Sequence, residues 1–157
     1  MKILKFMSEM TERVDMAEFA EKTGIDSSQI VALMQELAKI GFLRKVGRGF
    51  AITEKGKNAL KAAVPFAWDK RFNFYVAFDQ PAGVSAGKIS EFYNLICKVD
   101  LASLEFHMSR GDFENWFQTT VTDPAFADEL TKIKESNLQG EELRTAIANA
   151  LKLRYSL

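Results

Sequence analysis

The chain has 157 residues, 47% of them apolar and 27% charged, with 21 Lys and Arg set against 21 Asp and Glu. That length holds one ordinary domain or two small ones and excludes a large multidomain enzyme, and the composition is that of a folded chain. A net charge of zero argues against a nucleic-acid partner only if the charge is evenly spread, and it is not.

Up to Ala62 there are 11 basic and 8 acidic residues, a net charge of +3; beyond it there are 10 and 13, a net charge of −3. Of the 13 Phe, only Phe6, Phe19, Phe42 and Phe50 precede the same point. These shifts predict a boundary near residues 62–66 and two units, 1–63 and 64–157.

The N-terminal run MKILKFMSEMTER becomes charged too early for a signal peptide. No stretch approaches the roughly 20 apolar residues of a membrane span. The chain therefore reads as soluble and cytoplasmic, with no membrane partner. Residues 3–8 predict a short first helix. A second runs from about Asp15, a natural cap, to Lys22, with Met16, Phe19 and Ala20 inward and Gly24 at its end. A third spans Ser27 to Ile40, with Ile30, Leu33, Met34, Leu37 and Ile40 as its apolar stripe and Gly41 as the stop. Residues 42–46 and 50–53 read as two strands joined through Gly47-Arg48-Gly49. Thr53-Glu54-Lys55-Gly56 then opens a further helix carrying Ala59 and Leu60.

Three helices, a basic hairpin and a closing helix are the winged helix-turn-helix order. The run LMQELAKIGFLRKVGRGFAITEKGKNAL (Leu33–Leu60) resembles the winged-helix domains of prokaryotic transcription regulators. The resemblance covers residues 1–62 and implies duplex DNA as a partner. Seven cations lie between Lys39 and Lys61, opposed by Glu54 alone, and a basic hairpin is well placed to neutralise phosphates. The phosphate candidates are Lys39, Arg44, Lys45, Arg48, Lys55 and Lys57, with Arg48 at the hairpin tip as a minor-groove probe. Ser27, Ser28, Gln29, Ala32 and Gln35, near the start of the third helix, are the candidates for reading base edges. Asp26 and Glu36 oppose this unless they point away. The competing reading is a winged helix that contacts protein, with solvated surface cations and an apolar outward face on the third helix.

In the second half, Phe72, Phe74, Val76 and Phe78 alternate as in a strand, or as an extended segment over helices. Gln80-Pro81-Ala82-Gly83 reads as a turn. Helices follow from Ala86 to Lys98 capped by Ser85, after Asp100, after Asp112, from Thr122-Asp123-Pro124 to about Glu135, and from Glu141 to about Tyr155. Five helical segments imply a small bundle, so the fold class is mainly α. Cys97, the single cysteine, falls at an apolar-spaced helical position and is expected to be a buried, inert thiol. It permits no intramolecular disulfide and supports no cysteine zinc site, and no metal or cofactor is expected.

The stretch SLEFHMSRGDFENWF with TDPAFADEL (Ser103–Leu130) resembles a functionally uncharacterised prokaryotic domain family. That resemblance implies a fold unit and supplies no residue roles. His107, Arg110, Asp112 and Trp116 form the one cluster there with chemical potential, as a proton-relay pair or an anion and aromatic binding set. The structural alternative has Asp112 capping a helix, Arg110 paired with Glu105 or Asp112, His107 hydrogen-bonded in the core and Trp116 packed. The structural alternative is preferred, because no nucleophile, metal set or phosphate loop accompanies the cluster. The sequence thus predicts a non-enzymatic transcription regulator. It would act as a homodimer, since one small module buries too little for tight specific DNA binding, and its second half would dimerise or sense a small-molecule effector.

Overall fold

The computed structural model describes residues 2–9 and 16–157, with the side chains of residues 16–18 left undescribed. The expected cap Asp15 and the inward-facing Met16 side chain lie outside the described residues. The fold is mainly α, and the chain forms two compact units, Met1–Lys61 and Ala62–Leu157.

The first unit contains α1 (Lys2–Glu9), α2 (Met16–Thr23), α3 (Ser27–Lys39), the antiparallel strands β1 (Leu43–Val46) and β2 (Gly49–Ile52), and α4 (Glu54–Ala63), which runs across the boundary. Its core is Ile3, Leu4 and Met7 of α1, Phe19 of α2, Ile30 and Met34 of α3 and Leu43 of β1. Asp26 caps α3 by accepting a hydrogen bond from the Ser28 amide at 3.0 Å. Gly41 ends the helix at φ 81°, a conformation that glycine adopts without penalty. The apolar stripe is narrower than the spacing predicts: Leu33 is 45% exposed and Ile40 50%. At 3.6 residues per turn these two lie about 60° and 80° to one side of Ile30, beyond the arc that β1 and α2 cover.

A local knot of contacts joins β1 to α4. Thr53 Oγ1 donates to the Gly41 carbonyl at 2.6 Å and in turn accepts the Gly56 amide at 3.1 Å. A Cβ at Gly56 would stand 2.3 Å from the Phe42 carbonyl oxygen and 2.9 Å from the Ile52 side chain. The threonine and the glycine three residues later are therefore demanded by the close approach of two backbones.

The second unit begins with a single 3-10 turn at Trp68–Lys70 and the antiparallel pair β3 (Phe72–Ala77) and β4 (Gln80–Ala86). It continues with α5 (Ile89–Ile96), α6 (Leu101–Arg110), α7 (Asp112–Thr119), α8 (Pro124–Glu135) and α9 (Gly140–Tyr155). The expected turn at residues 80–83 is instead the start of β4. The reversal lies at Phe78-Asp79, where Asp79 takes φ 57°, and the register shifts between Asn73 and Tyr75 and again between Tyr75 and Ala77. Such bulges allow Pro81 to lie in a strand opposite Tyr75. Ser85 is consequently a strand residue hydrogen-bonded to Arg71, and α5 begins at Ile89 after Lys88. Phe78 does not share the buried face of Phe72 and Phe74; it is 81% exposed. Cys97 is exposed, contrary to expectation. It follows the last residue of α5, whose buried face is taken by Ile89, Phe92 and Ile96.

The core of this unit is aromatic. Phe72, Phe74, Phe92, Phe113, Trp116, Phe117, Phe126 and Tyr155 are all buried, and Phe92 stacks on Trp116 with ring centroids 5.1 Å apart. No helix among the described residues is long and apolar enough to cross a membrane.

Asp123 fastens the C-terminal helix to this core. Only 2% exposed, it accepts from the Phe126 amide at 3.2 Å, from Arg154 Nη2 and Nε at 2.7 and 3.1 Å, and from the Tyr155 hydroxyl at 2.7 Å. Burial works to raise its carboxyl, but the bonds from Arg154, Tyr155 and Phe126 outweigh it and hold the group below the ordinary carboxylate value. Burial and Asp123 push the Tyr155 hydroxyl the other way, above its usual range.

Two outcomes follow. Gly56→Ala should destabilise the first unit by about 2–3 kcal/mol through overpacking against backbone, read as faster amide exchange in α3 and β1; unchanged exchange contradicts the close approach. Because the Asp123 carboxyl is depressed, its contribution is complete above the unfolded value near 3.8 and is lost as pH falls through the lower folded value. Asp123→Asn should therefore lower the thermal midpoint at pH 6, and the gap to wild type should narrow steadily below about pH 4.

Candidate ligand cavity

Each side chain of the His107 cluster is positioned by its element. Gly111, at φ 76°, ends α6 in the left-handed conformation and is also the residue preceding α7. Asp112 is thus the first residue of α7 and not its cap, so its carboxylate is free to turn back along α6. Asp112 Oδ2 accepts from His107 Nδ1 at 2.8 Å and from Arg110 Nε at 3.1 Å. On the other side of the ring, His107 Nε2 accepts the Tyr75 backbone amide at 2.8 Å. An Nε2 that accepts and an Nδ1 that faces a carboxylate define the neutral Nδ1–H tautomer. His107 is 3% exposed and packed edge-on against Phe72 at 4.9 Å. Burial lowers its pKa below the usual imidazole value, against the raising effect of Asp112 and with a smaller lowering effect of Arg110.

Trp116 is buried as well, and its Nε1 donates to the Lys70 carbonyl at 2.9 Å. Arg110 is different. Only its Nε is engaged; the two terminal amino groups make no hydrogen bond among the described residues. Its guanidinium lies 5.1 Å from the centroid of the Phe106 ring.

All four residues border one cavity of about 500 Å³ between β3, α6 and α7. Phe72, Tyr75, Phe78, Phe106 and Trp116 supply aromatic surface, and Asn73, Asn115 and Thr120 supply polar groups. The sequence did not single out Asn73, Tyr75, Phe106 or Asn115. Their only common signal is position, because β3 and α6 meet through the Tyr75–His107 bond 32 residues apart in sequence. Among the described residues no group of His, Cys, Asp and Glu is arranged to hold a metal ion.

The basic segment of the first unit is arranged differently from its sequence. Ser28 donates its hydroxyl to Asp26. Lys39 pairs with Glu36 at 2.6 Å and Lys57 with Glu54 at 2.7 Å. Lys55 donates to the Ile40 carbonyl at 2.7 Å and lies over Phe42. The side chains of Arg44, Lys45 and Arg48 remain exposed without a hydrogen bond or ion pair among the described residues, and Ser27, Gln29, Ala32 and Gln35 are exposed on α3.

Residues 9–57 match the family described as the HemN C-terminal domain. No curated protein and no solved structure matches the chain. The family match overturns the recognition of residues 1–62 as a winged-helix domain of transcription regulators, and with it the DNA-binding and transcriptional assignment drawn from that recognition. The signals that carried the resemblance are the ones the backbone requires: Gly41 for a positive φ, and Thr53 with Gly56 for the β1–α4 approach. They specify a packing arrangement, which unrelated functions share.

The single histidine makes the site directly observable. Its folded pKa is depressed, so the stability that depends on the neutral ring is complete above about pH 6.5 and declines as pH falls from there through the folded value. The one imidazole signal in a ¹H–¹³C titration should move below pH 6.5, with ¹⁵N shifts of an Nδ1–H tautomer at neutral pH. A midpoint above 6.5 contradicts a buried, neutral His107.

Proposed function

We propose that residues 62–157 form a small-molecule binding unit whose site is the cavity between β3, α6 and α7, and that it acts by binding and not by catalysis. The observation that carries this reading is the guanidinium of Arg110: fixed at Nε by Asp112, backed by an aromatic ring, and facing a 500 Å³ cavity with its remaining donors unmatched. That volume lies within the usual range for small-ligand sites, and the lining sets five aromatic residues, Phe72, Tyr75, Phe78, Phe106 and Trp116, among polar and charged ones.

Binding is favoured over catalysis by the state of His107. Both ring nitrogens are engaged, one by the Tyr75 amide and one by Asp112. A general base must reach the proton it removes, and this imidazole has no nitrogen left to offer. Cys97, the single thiol, does not border the cavity. For the first unit, the exposed Leu33 and Ile40 on α3 favour contact with protein as a second reading.

The test is a two-dimensional NMR screen of the full chain with a mixed library of small aromatic and polar compounds. Shifts should gather at the amides of Tyr75, Arg110, Asn115 and Thr120, and Thr119→Trp, which places an indole at the cavity wall, should abolish them. Shifts that gather elsewhere, or that survive this substitution, overturn the proposal.

A further inference from the structure

We infer that the ligand of this cavity is a planar aromatic monocarboxylate, with its carboxylate on Arg110 and its ring against the aromatic wall. The assignment rests on reading the cavity as a ligand site. It follows from which groups around the cavity already have partners.

The cavity borders carry two cations and two carboxylates, Arg71, Arg110, Asp79 and Asp112. Arg71 is turned to β4: Nε donates to Ser85 Oγ at 2.9 Å, Nη2 to the Ser85 carbonyl at 3.1 Å, and Glu91 stands 3.9 Å away. Asp112 Oδ2 takes both His107 and Arg110 Nε. The Asp79 carboxylate has no hydrogen bond or ion pair among the described residues, and the fork left open is the outer edge of the Arg110 guanidinium, with two terminal amino groups in the plane that Asp112 and Phe106 fix. A planar fork of this kind matches a carboxylate through two parallel hydrogen bonds.

The same inventory limits the charge of the ligand. A phosphate dianion would meet one available fork with two carboxylates at the border, so a single negative charge is the better match. The neighbouring surface sets the rest. Phe106 lies beneath the guanidinium, and Tyr75 and Trp116 also border the cavity. A flat ring joined to the carboxylate would pack there as aromatic pairs do elsewhere, offset or edge-on. Asn73 and Asn115 have side-chain amides without a hydrogen bond among the described residues, and these suit a ring that carries its own donor or acceptor.

The experiment titrates the full chain with indole-3-carboxylate, indole-3-carboxamide and inorganic phosphate, followed by amide shifts at the cavity and by the Arg110 Nε–H signal. The expected result is a carboxylate affinity roughly tenfold above that of the carboxamide, the usual size of a charge-assisted hydrogen-bond contribution, and negligible phosphate binding. Arg110→Gln should erase the preference, and Arg110→Lys, which keeps the charge without the fork, should restore only part of it. The Arg110 side chain is half exposed, and an unchanged thermal midpoint shows that the variants are folded. Equal binding of acid and amide, phosphate binding as tight as the acid, or a preference that survives Arg110→Gln overturns the ligand class while leaving the cavity reading intact. Absence of cavity shifts with all three compounds and with the mixed library overturns both.

Discussion

The second unit is organised around one imidazole. His107 lies on α6 with its Nε2 against the amide of Tyr75 in β3 and its Nδ1 against the carboxylate at the start of α7. Those two bonds join the hairpin to the helices at a point where β3 departs from regular pairing, since the register shifts on both sides of Tyr75. A bulge leaves a strand amide without a partner in the ladder. A buried amide without a partner costs about 1–3 kcal/mol, so the irregular strand and the neutral histidine depend on one another. Were the ring protonated, Nε2 would present N–H to N–H and the joint between β3 and α6 would open.

The same joint prepares the cavity. Asp112 can reach His107 only because Gly111 takes the left-handed turn between α6 and α7 and relieves the aspartate of capping. Having turned inward, the carboxylate also holds Arg110 Nε, with the guanidinium over the Phe106 ring one turn back on α6. Orientation of a binding group by a partner that is itself fixed lowers the entropy lost when a ligand arrives. The fold-bearing contact and the candidate recognition group therefore share one carboxylate oxygen.

How much of this was legible in the sequence depends on how local the responsible contact is. Asp100 and Asp123 cap α6 and α8 as their spacing predicts, because a cap involves residues two or three apart. The hairpin at Gly47-Arg48 is likewise written in its turn. β4 was hidden because Pro81, Gly83 and two register shifts remove the alternation that marks a strand. Leu33 and Ile40 satisfied the helical period yet lie beside the covered arc, and only the neighbours of α3 decide that. For the site, the residue types at 107, 110, 112 and 116 were visible as a cluster. The amide of Tyr75 was not, because every backbone has an amide and the sequence does not mark which one is left unpaired.

The first unit shows why a basic tally is weaker evidence than it looks. The segment from Lys39 to Lys61 sums to a strong positive charge in sequence, but Lys39 and Lys57 sit one helical turn from Glu36 and Glu54, and Lys55 is drawn to the carbonyl end of α3. Lysines placed so stabilise helix ends and surfaces by a few tenths of a kcal/mol each, and their fields are locally screened. The matched family covers residues 9–57, the stretch in which Gly41, Thr53 and Gly56 are fixed by backbone geometry while Lys39, Lys55 and Lys57 are engaged locally. A sequence resemblance carried by such positions reports how β1 and α4 pack. Among the described residues of the basic segment, Arg44, Lys45 and Arg48 on the hairpin remain unengaged, and α3 exposes the apolar Leu33 and Ile40, so a function of this unit is argued first from those side chains.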